Sequence, residues 1–269
     1  PTKKYGVKTG EATWEAIQKC PQLVTVPPNY PLYMFCHHSL VDLLREFSDR
    51  VQVFSVDECF LDMTGMPEAK KPLDLAHKIR ERIKEELGFT VSIGVSTNKL
   101  LAKMGSELKK PDAVTTLFPE EIPNKMWSLP IENLYMVGRA TSFKLHKMGI
   151  DTIGALANYD PNMLKYKLKS WGQLVWDYAN GIESSVVSSS GRDVVKGIGN
   201  STTVHFDVED RSTAHQVLLS LVETVGMRLR FGNWCCRVIA VSIKKANDLT
   251  SYSHQLKLQS PIDTTKGIY

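Results

Sequence analysis

The stretch Val51-Gln52-Val53-Phe54-Ser55-Val56-Asp57-Glu58-Cys59-Phe60-Leu61-Asp62-Met63-Thr64 constrains this chain more than any other. Two runs of β-branched and aromatic residues flank two adjacent carboxylates, and each run alternates with the period of a half-buried strand. A hairpin with Asp57 and Glu58 at its turn is the expectation. Carboxylate oxygens on so rigid a support can hold Mg²⁺, which takes a few protein ligands and completes its shell with water and substrate phosphates. In nucleotidyl transfer such ions activate an attacking hydroxyl and neutralise a leaving pyrophosphate. Acidic residues at a hairpin tip are also ordinary solvated turn residues, so the pair alone decides nothing.

The chain has 269 residues, 42% hydrophobic and 23% charged, which allows two or more domains and a sizeable core. No apolar run approaches the ~20 residues that cross a bilayer. Nor does an apolar leader core follow Pro1-Thr2-Lys3-Lys4-Tyr5-Gly6. No membrane partner is expected. The missing initiator Met and the abrupt end at Gly267-Ile268-Tyr269 suggest a piece of a longer chain. Cys20, Cys36, Cys59, Cys235 and Cys236 are odd in number and show no Cys-x-x-Cys spacing, as suits reduced cytoplasmic thiols rather than zinc ligands or disulfides. His37-His38 is a poor metal pair, because adjacent helical residues point about 100° apart. A net charge of +4 permits nucleic-acid binding without demanding it.

Along the chain, residues 11 to 20 read as a helix and Leu23 to Val26 as a short strand stopped by Pro27-Pro28. Leu32 to Phe47 is helical, with Leu40, Leu43, Leu44 and Phe47 at core spacing. After the hairpin a helix begins near Pro72, with Leu73, Ala76, Ile79, Ile83 and Leu87 on one stripe and Gly88 at its end. Phe89 to Val95 is the next strand. Ser96 or Thr97 caps a helix from Asn98 to about Lys109, whose apolar face is Leu101, Met104 and Leu108. Lys99 and Lys103 lie on its opposite side, with Lys110 near the same line. Val114 to Leu117 closes an α+β layer with helices on one sheet face. From Pro119 to about Gly191 short helical patterns dominate. There Leu134 to Ile150 reads as two short helices joined by a Gly turn, and Ser184 to Gly191 as a tether. The rest reads β-α-β-β: Ser201 to Val208, a helix capped by Ser212 or Thr213, then Arg237 to Lys244 and Tyr252 to Gln259. The helix carries Ala214, Val217, Leu218, Leu221, Val225 and Leu229 on one stripe.

Lys110 beside a bound Mg²⁺ suits nucleotide phosphates, although a solvated helix face has the same composition. In the last strand Ser251, Ser253, Gln255, Lys257 and Gln259 face outward, while Tyr252, His254, Leu256 and Leu258 face inward. That donor-rich face, with Arg228, Arg230, Arg237, Lys244 and Lys245 in the same segment, suits a phosphate backbone. A plain solvated sheet face reads alike. Aromatics are not interleaved among the cations, so duplex contact fits better than single-strand stacking.

On Ser55-Val-Asp57-Glu58-Cys-Phe-Leu-Asp62 and Lys110-Pro111 together the chain resembles the Y-family translesion DNA polymerases. Ser55-Val-Asp57-Glu58-Cys-Phe-Leu-Asp62 resembles their second carboxylate motif, and Ser92-Ile-Gly94-Val-Ser-Thr-Asn98-Lys99-Leu-Leu-Ala102-Lys103 leads to Lys110-Pro111. Lys4-Tyr-Gly6-Val-Lys-Thr-Gly, Val137-Gly138, Gly149-Ile150-Asp-Thr-Ile-Gly154, Lys196-Gly-Ile-Gly199-Asn-Ser201 and Arg228-Leu-Arg230 match in order. The resemblance implies an α+β right-hand fold: a fingers remnant at 1-30, a palm at 31-118 with an antiparallel or mixed sheet, a thumb with a helix-hairpin-helix-like element at 119-191, and a β-α-β-β little finger at 192-269. It implies error-prone, template-directed DNA synthesis on primer-template DNA from deoxynucleoside triphosphates without proofreading, in the cytoplasm at the nucleoid. Two Mg²⁺ ions, with Mn²⁺ able to substitute, would sit at Asp57 and Glu58, while Lys110 and Lys3 would contact the triphosphate. Asp62 would support the palm. Lys99, Lys103, Gly138, Lys196, Ser201, Arg228, Arg230, Arg237, Lys244, Ser253 and Lys257 are the candidate DNA contacts.

The family's first palm strand, with its metal-bridging Asp, has no counterpart in this sequence, nor has the upstream Tyr of the triphosphate clamp. The little finger stops before a second helix and final strand, and a carboxyl-terminal peptide for a sliding clamp is not present. Met136 stands where the family has Gly, and Asp112-Ala113 where Asn-Gly is common. An inactive fragment of an active polymerase is therefore expected. A non-catalytic DNA-binding module derived from such an enzyme is the alternative, and a nucleotide-cyclase-like palm a weaker one.

Overall fold

In the computed structural model, which describes residues 2–188 and 195–269, the chain divides into two compact units, Pro1–Gly191 and Arg192–Tyr269. The first unit opens with a 3-10 turn, Thr2–Tyr5, and helix α1, Thr13–Lys19. Helix α2, Tyr30–Arg45, is capped by the Asn29 side chain and buries Leu40, Val41, Leu43 and Leu44. The hairpin forms as expected: β1, Val51–Val53, pairs antiparallel with β2, Cys59–Leu61, in the register Gln52 to Phe60. Helix α3, Pro72–Arg82, runs into a π turn at Ile83–Leu87, which Gly88 ends at φ 76°, a left-handed conformation that favours glycine. Strand β3, Ile93–Val95, then pairs in parallel with β4, Val114–Thr116, across helix α4, Lys99–Leu108.

One core, built on Leu40, Leu44, Val51, Leu75, Ile79 and Ile83, lies under the hairpin and β3 together. Burying such side chains stabilises the fold by about 1.5–3 kcal/mol each. Among the described residues β1–β2 and β3–β4 are separate two-stranded sheets rather than one. The shared helices α2 and α3 hold them side by side.

A second core joins α4 to the helices that follow: α5, Ile122–Lys125; α6, Arg139–His146; α7, Ile153–Ala157; α8, Pro161–Leu168; and α9, Ser170–Ala179. Leu101, Met126, Leu145, Ile153, Leu164 and Val175 are fully enclosed in it. Asn98 ties the two regions, its Oδ1 accepting from the Leu101 amide at 2.8 Å and its Nδ2 donating to the Gly181 carbonyl at 2.9 Å.

The second unit holds α10, Arg211–Phe231; β5, Cys236–Lys244; β6, Ser251–Ile262; and α11, Thr265–Ile268, with β5 and β6 antiparallel. On helix α10 Val222, Gly226 and Leu229 are buried; of the expected stripe only Leu229 is among them, and Ala214, Val217, Leu218, Leu221 and Val225 are half-buried.

Several expectations are corrected. Leu23 to Val26 is not a strand: no strand pairs with it among the described residues, and Val24 and Val26 are 81% and 78% exposed. Ser201 to Val208 likewise forms no ladder, so the described part of the second unit reads α-β-β-α instead of β-α-β-β. Phe89 to Val95 shortens to three residues, because only Ile93 to Val95 meet β4. Leu73 is exposed, and the buried face of α3 is set by Leu75, Ala76 and Ile79. The caps of α4 and α10 are Asn98 and Asp210, not Ser96, Thr97, Ser212 or Thr213. Leu134 to Ile150 holds one helix, α6, started by Gly138 and ended near Gly149 at φ 76°. Tyr252 and Leu256 on the inward face of β6 are 56% and 58% exposed, since nothing among the described residues covers that side of a two-stranded sheet. Of the Ser-rich tether, residues 189–191 lie outside the described residues, as do 192–194 beyond the expected boundary.

Candidate active site

The turn between β1 and β2 is closed by the Phe54 and Ser55 amides, which both donate to the Glu58 carbonyl at 2.8 and 3.1 Å. This curls the chain so that Ser55 Oγ reaches both carboxylates, at 2.7 Å to Asp57 Oδ1 and 3.5 Å to Glu58 Oε2. The one hydroxyl proton goes to Asp57, with Glu58 at the edge of hydrogen-bonding distance. His37 steadies the turn from α2, its Nδ1 lying 2.9 Å from the Val56 carbonyl oxygen.

Helix α4 lies opposite and presents its lysines. Lys103 Nζ donates to Glu58 Oε1 and, at 2.9 Å, to Glu107 Oε1 one turn further on. Lys110 Nζ donates to the same Glu107 oxygen at 2.8 Å. Burial pulls the Lys103 amine down, but its bonds to Glu107 and Glu58 outweigh that and hold it above its ordinary value. Burial likewise pushes Glu107 up, and the bonds from Lys103 and Lys110 bring it below the usual carboxylate range. Both groups are therefore charged at neutral pH. Lys99 turns aside from this chain of contacts, to Gln52 Oε1 at 3.2 Å and the Val186 carbonyl at 3.1 Å.

Asp57, Glu58, Lys99, Lys103 and Lys110 all line one cleft of about 1370 Å³ between the two small sheets. Lys3 does not line it; it is exposed in the first 3-10 turn. Asp62 lines the same cleft, its carboxylate held by Arg50 Nη1 at 2.7 Å and by the Thr64 amide at 2.8 Å. Asp112, at φ 53°, is fixed by Lys84 at 2.9 Å and Arg80 at 3.6 Å, which accounts for an acid at that position. The site residues that sequence reasoning missed are Ser55 and Glu107. The four-residue spacing of Lys103 and Glu107 on one helix, with Lys110 just past its end, was the available signal.

Asp57 and Glu58 are the residues suited to a hard divalent cation. The Ser55 hydroxyl touches both carboxylates, and Glu58 already holds a cationic group, the Lys103 ammonium. Among the described residues no group of three or more His, Cys, Asp or Glu is placed to hold a metal ion, so the pair would need ligands from outside these side chains.

In the region of α6, Gly138 is the N-terminal flanking residue, its carbonyl accepting from Thr141 and Ser142. Met136 takes φ 71° beside it. In the second unit, Arg228 and Arg230 donate to the Gly199 and Asp263 carbonyls, both at 2.9 Å. Lys196 and Ser201 are exposed in irregular chain. Pairing places Lys244 opposite Ser251, Ser242 opposite Ser253 and Val238 opposite Lys257, so these residues share one exposed face, while Arg237 sits at a shift in register.

The sequence profile of the impB/mucB/samB family matches residues 1–107, and that of the impB/mucB/samB family C-terminal domain matches residues 195–269. DNA polymerase IV of Clostridium acetobutylicum is 46% identical over 268 residues, covering 100% of this chain and 67% of that protein. DNA polymerase IV of Acetivibrio thermocellus is 43% identical over 247 residues, covering 90% of this chain and 61% of its own length. The chain thus spans roughly two thirds or less of the relatives it matches. A solved Y-family DNA polymerase chimera of Dbh and Dpo4 shares the fold, with a TM-score of 0.78 at 24% identity over 98% of this chain and 76% of that one.

Proposed function

The chain belongs to the impB/mucB/samB family, the Y-family DNA polymerases, and from that membership we propose that its protein performs template-directed, lesion-tolerant DNA synthesis without proofreading. Residues 1-30 would be fingers, 31-118 palm, 119-191 thumb and 192-269 little finger. Primer-template DNA and deoxynucleoside triphosphates are the substrates of this reading.

The observation that carries it is the continuous set of contacts from Asp57 through Ser55, Glu58, Lys103 and Glu107 to Lys110 along one cleft. Asp57 and Glu58 would hold the divalent ions. Such ions, when bound, make a 3′-hydroxyl a better nucleophile and offset charge on the departing pyrophosphate. Lys110 would bind the triphosphate and Lys3 would approach it from the fingers. Ser55 orients both carboxylates, and the half-buried Lys103–Glu107 pair keeps cationic groups facing the phosphates.

Primer extension in Mg²⁺ by the protein of the complete gene tests this. Asp57→Ala or Glu58→Ala is expected to lower the rate by about 10³-fold, the several kcal/mol that a metal contributes to a charged transition state. Primer-template affinity should change little. Extension undiminished in both variants would overturn the reading, and wild-type protein that binds DNA without extending it would favour the non-catalytic binding module.

A further inference from the structure

We propose that Lys103 is an internal counter-ion of the cation site: its ammonium occupies the position on Glu58 that a divalent ion would take, and leaves it for an incoming triphosphate. The inference rests on the polymerase reading and adds a coupling between the two ligands. Lys103 is only 16% exposed and donates to two carboxylates at once, Glu58 on the hairpin and Glu107 on its own helix. Giving up Glu58 therefore leaves its charge paired through Glu107, and the move is a rotation of the side-chain end rather than exposure of a buried ion.

The charges make the exchange directional. In the contact chain Asp57, Glu58 and Glu107 face Lys103 and Lys110, three negative groups against two positive ones, so the ligand-free site is nearly neutral. For a divalent ion bound alone, Lys103 would have to leave Glu58, and these five side chains with the ion would carry a net positive charge. With a triphosphate bound as well, Lys103 would turn from Glu58 toward the anion, beside Lys110, which shares Glu107 with it. Cation binding without nucleotide is weakened by Lys103, and nucleotide binding is strengthened by it.

The test measures Mn²⁺ affinity without nucleotide, from the paramagnetic resonance of the free ion, in the wild-type protein and in Lys103→Gln, Lys103→Arg, Asp57→Asn and Glu58→Gln. Circular dichroism melts confirm that each variant is folded. Lys103→Gln is expected to bind Mn²⁺ several-fold more tightly than wild type, Lys103→Arg to match wild type, and Glu58→Gln to bind more weakly. In primer extension Lys103→Gln is expected to raise KM for the nucleotide several-fold while lowering the Mg²⁺ concentration for half-maximal rate. If Asp57→Asn and Glu58→Gln weaken Mn²⁺ binding but Lys103→Gln leaves it unchanged or weaker, the counter-ion role is overturned and the site reading survives. If neither acidic substitution affects Mn²⁺ binding, the cation site itself falls, and the counter-ion role with it.

Discussion

His146 closes α6 with two carboxylates at once, its Nε2 lying 2.5 Å from Glu132 Oε1 and its Nδ1 2.5 Å from Asp151 Oδ1. It thereby joins the 3-10 turn Ile131–Asn133, the end of α6 and the approach to α7. Glu132, then Asp151, hold the imidazole above its ordinary value of 6.5. The folded state thus favours the protonated ring. Its stabilisation is complete below pH 6.5 and is lost as pH rises through the elevated folded value. Relative to His146→Gln, the wild-type melting temperature should decline as pH is raised from 6.5 toward alkaline values. A constant gap between the two melting curves across that range would refute the bridge. At this scale Asp57 with Glu58, and Lys103 with Lys110, were each legible from local spacing, while the 45-residue contact that joins Glu58 to Lys103 was not. The Ser55 clasp and the sharing of Glu107 by two lysines were not, since both depend on how tightly the turn curls and where α4 lies. Nothing in the sequence told that Arg228 and Arg230 are committed to backbone carbonyls rather than free for phosphate.

Between elements, the closest approach is that of β3 to α4. A Cβ on Gly94 would lie 1.8 Å from the Ala102 carbonyl oxygen and 2.5 Å from the Ser106 amide nitrogen. Both obstacles are helix backbone, which cannot swing aside as a side chain does. Gly94→Ala must therefore separate the strand from the helix that carries Lys99 and Lys103 and leads to Lys110. The expected cost is about 3 kcal/mol or more, above ordinary overpacking. Urea unfolding followed by circular dichroism measures it, and a midpoint equal to wild type would contradict the packing. Helices α2, α4 and α10 were readable from their apolar period because a helix satisfies its own backbone. Strands were less so: Leu23 to Val26 and Ser201 to Val208 alternate correctly but have no described neighbour to pair with, and alternation alone makes no ladder. The caps were ambiguous among clustered polar residues. Asn98 and Asp210 serve because each side chain reaches the amide three residues on, from an extended backbone.

For the whole chain, a net charge of +4 says little until the charges are located. In the second unit Lys244 and Lys257 lie with Ser251 and Ser253 on one face of the β5–β6 pair, exposed and without a carboxylate bonded to either lysine among the described contacts. That face offers ammonium groups and hydroxyls but no aromatic platform, a combination that grips phosphates and reads no base. If the protein holds duplex DNA there, each lysine displaces about one condensed counter-ion. Replacing both Lys244 and Lys257 by Ala should then weaken binding to all duplex sequences alike. It should also flatten the plot of log affinity against log salt by about 0.9 per lost phosphate contact. Ser253→Ala should weaken binding without altering that slope, because a neutral hydroxyl releases no ion. Fluorescence anisotropy of a labelled primer-template across a salt series separates the two effects. An unchanged slope in the double lysine variant would remove this face from the DNA path and shift the electrostatic contacts to the helical surface beginning at Gly138.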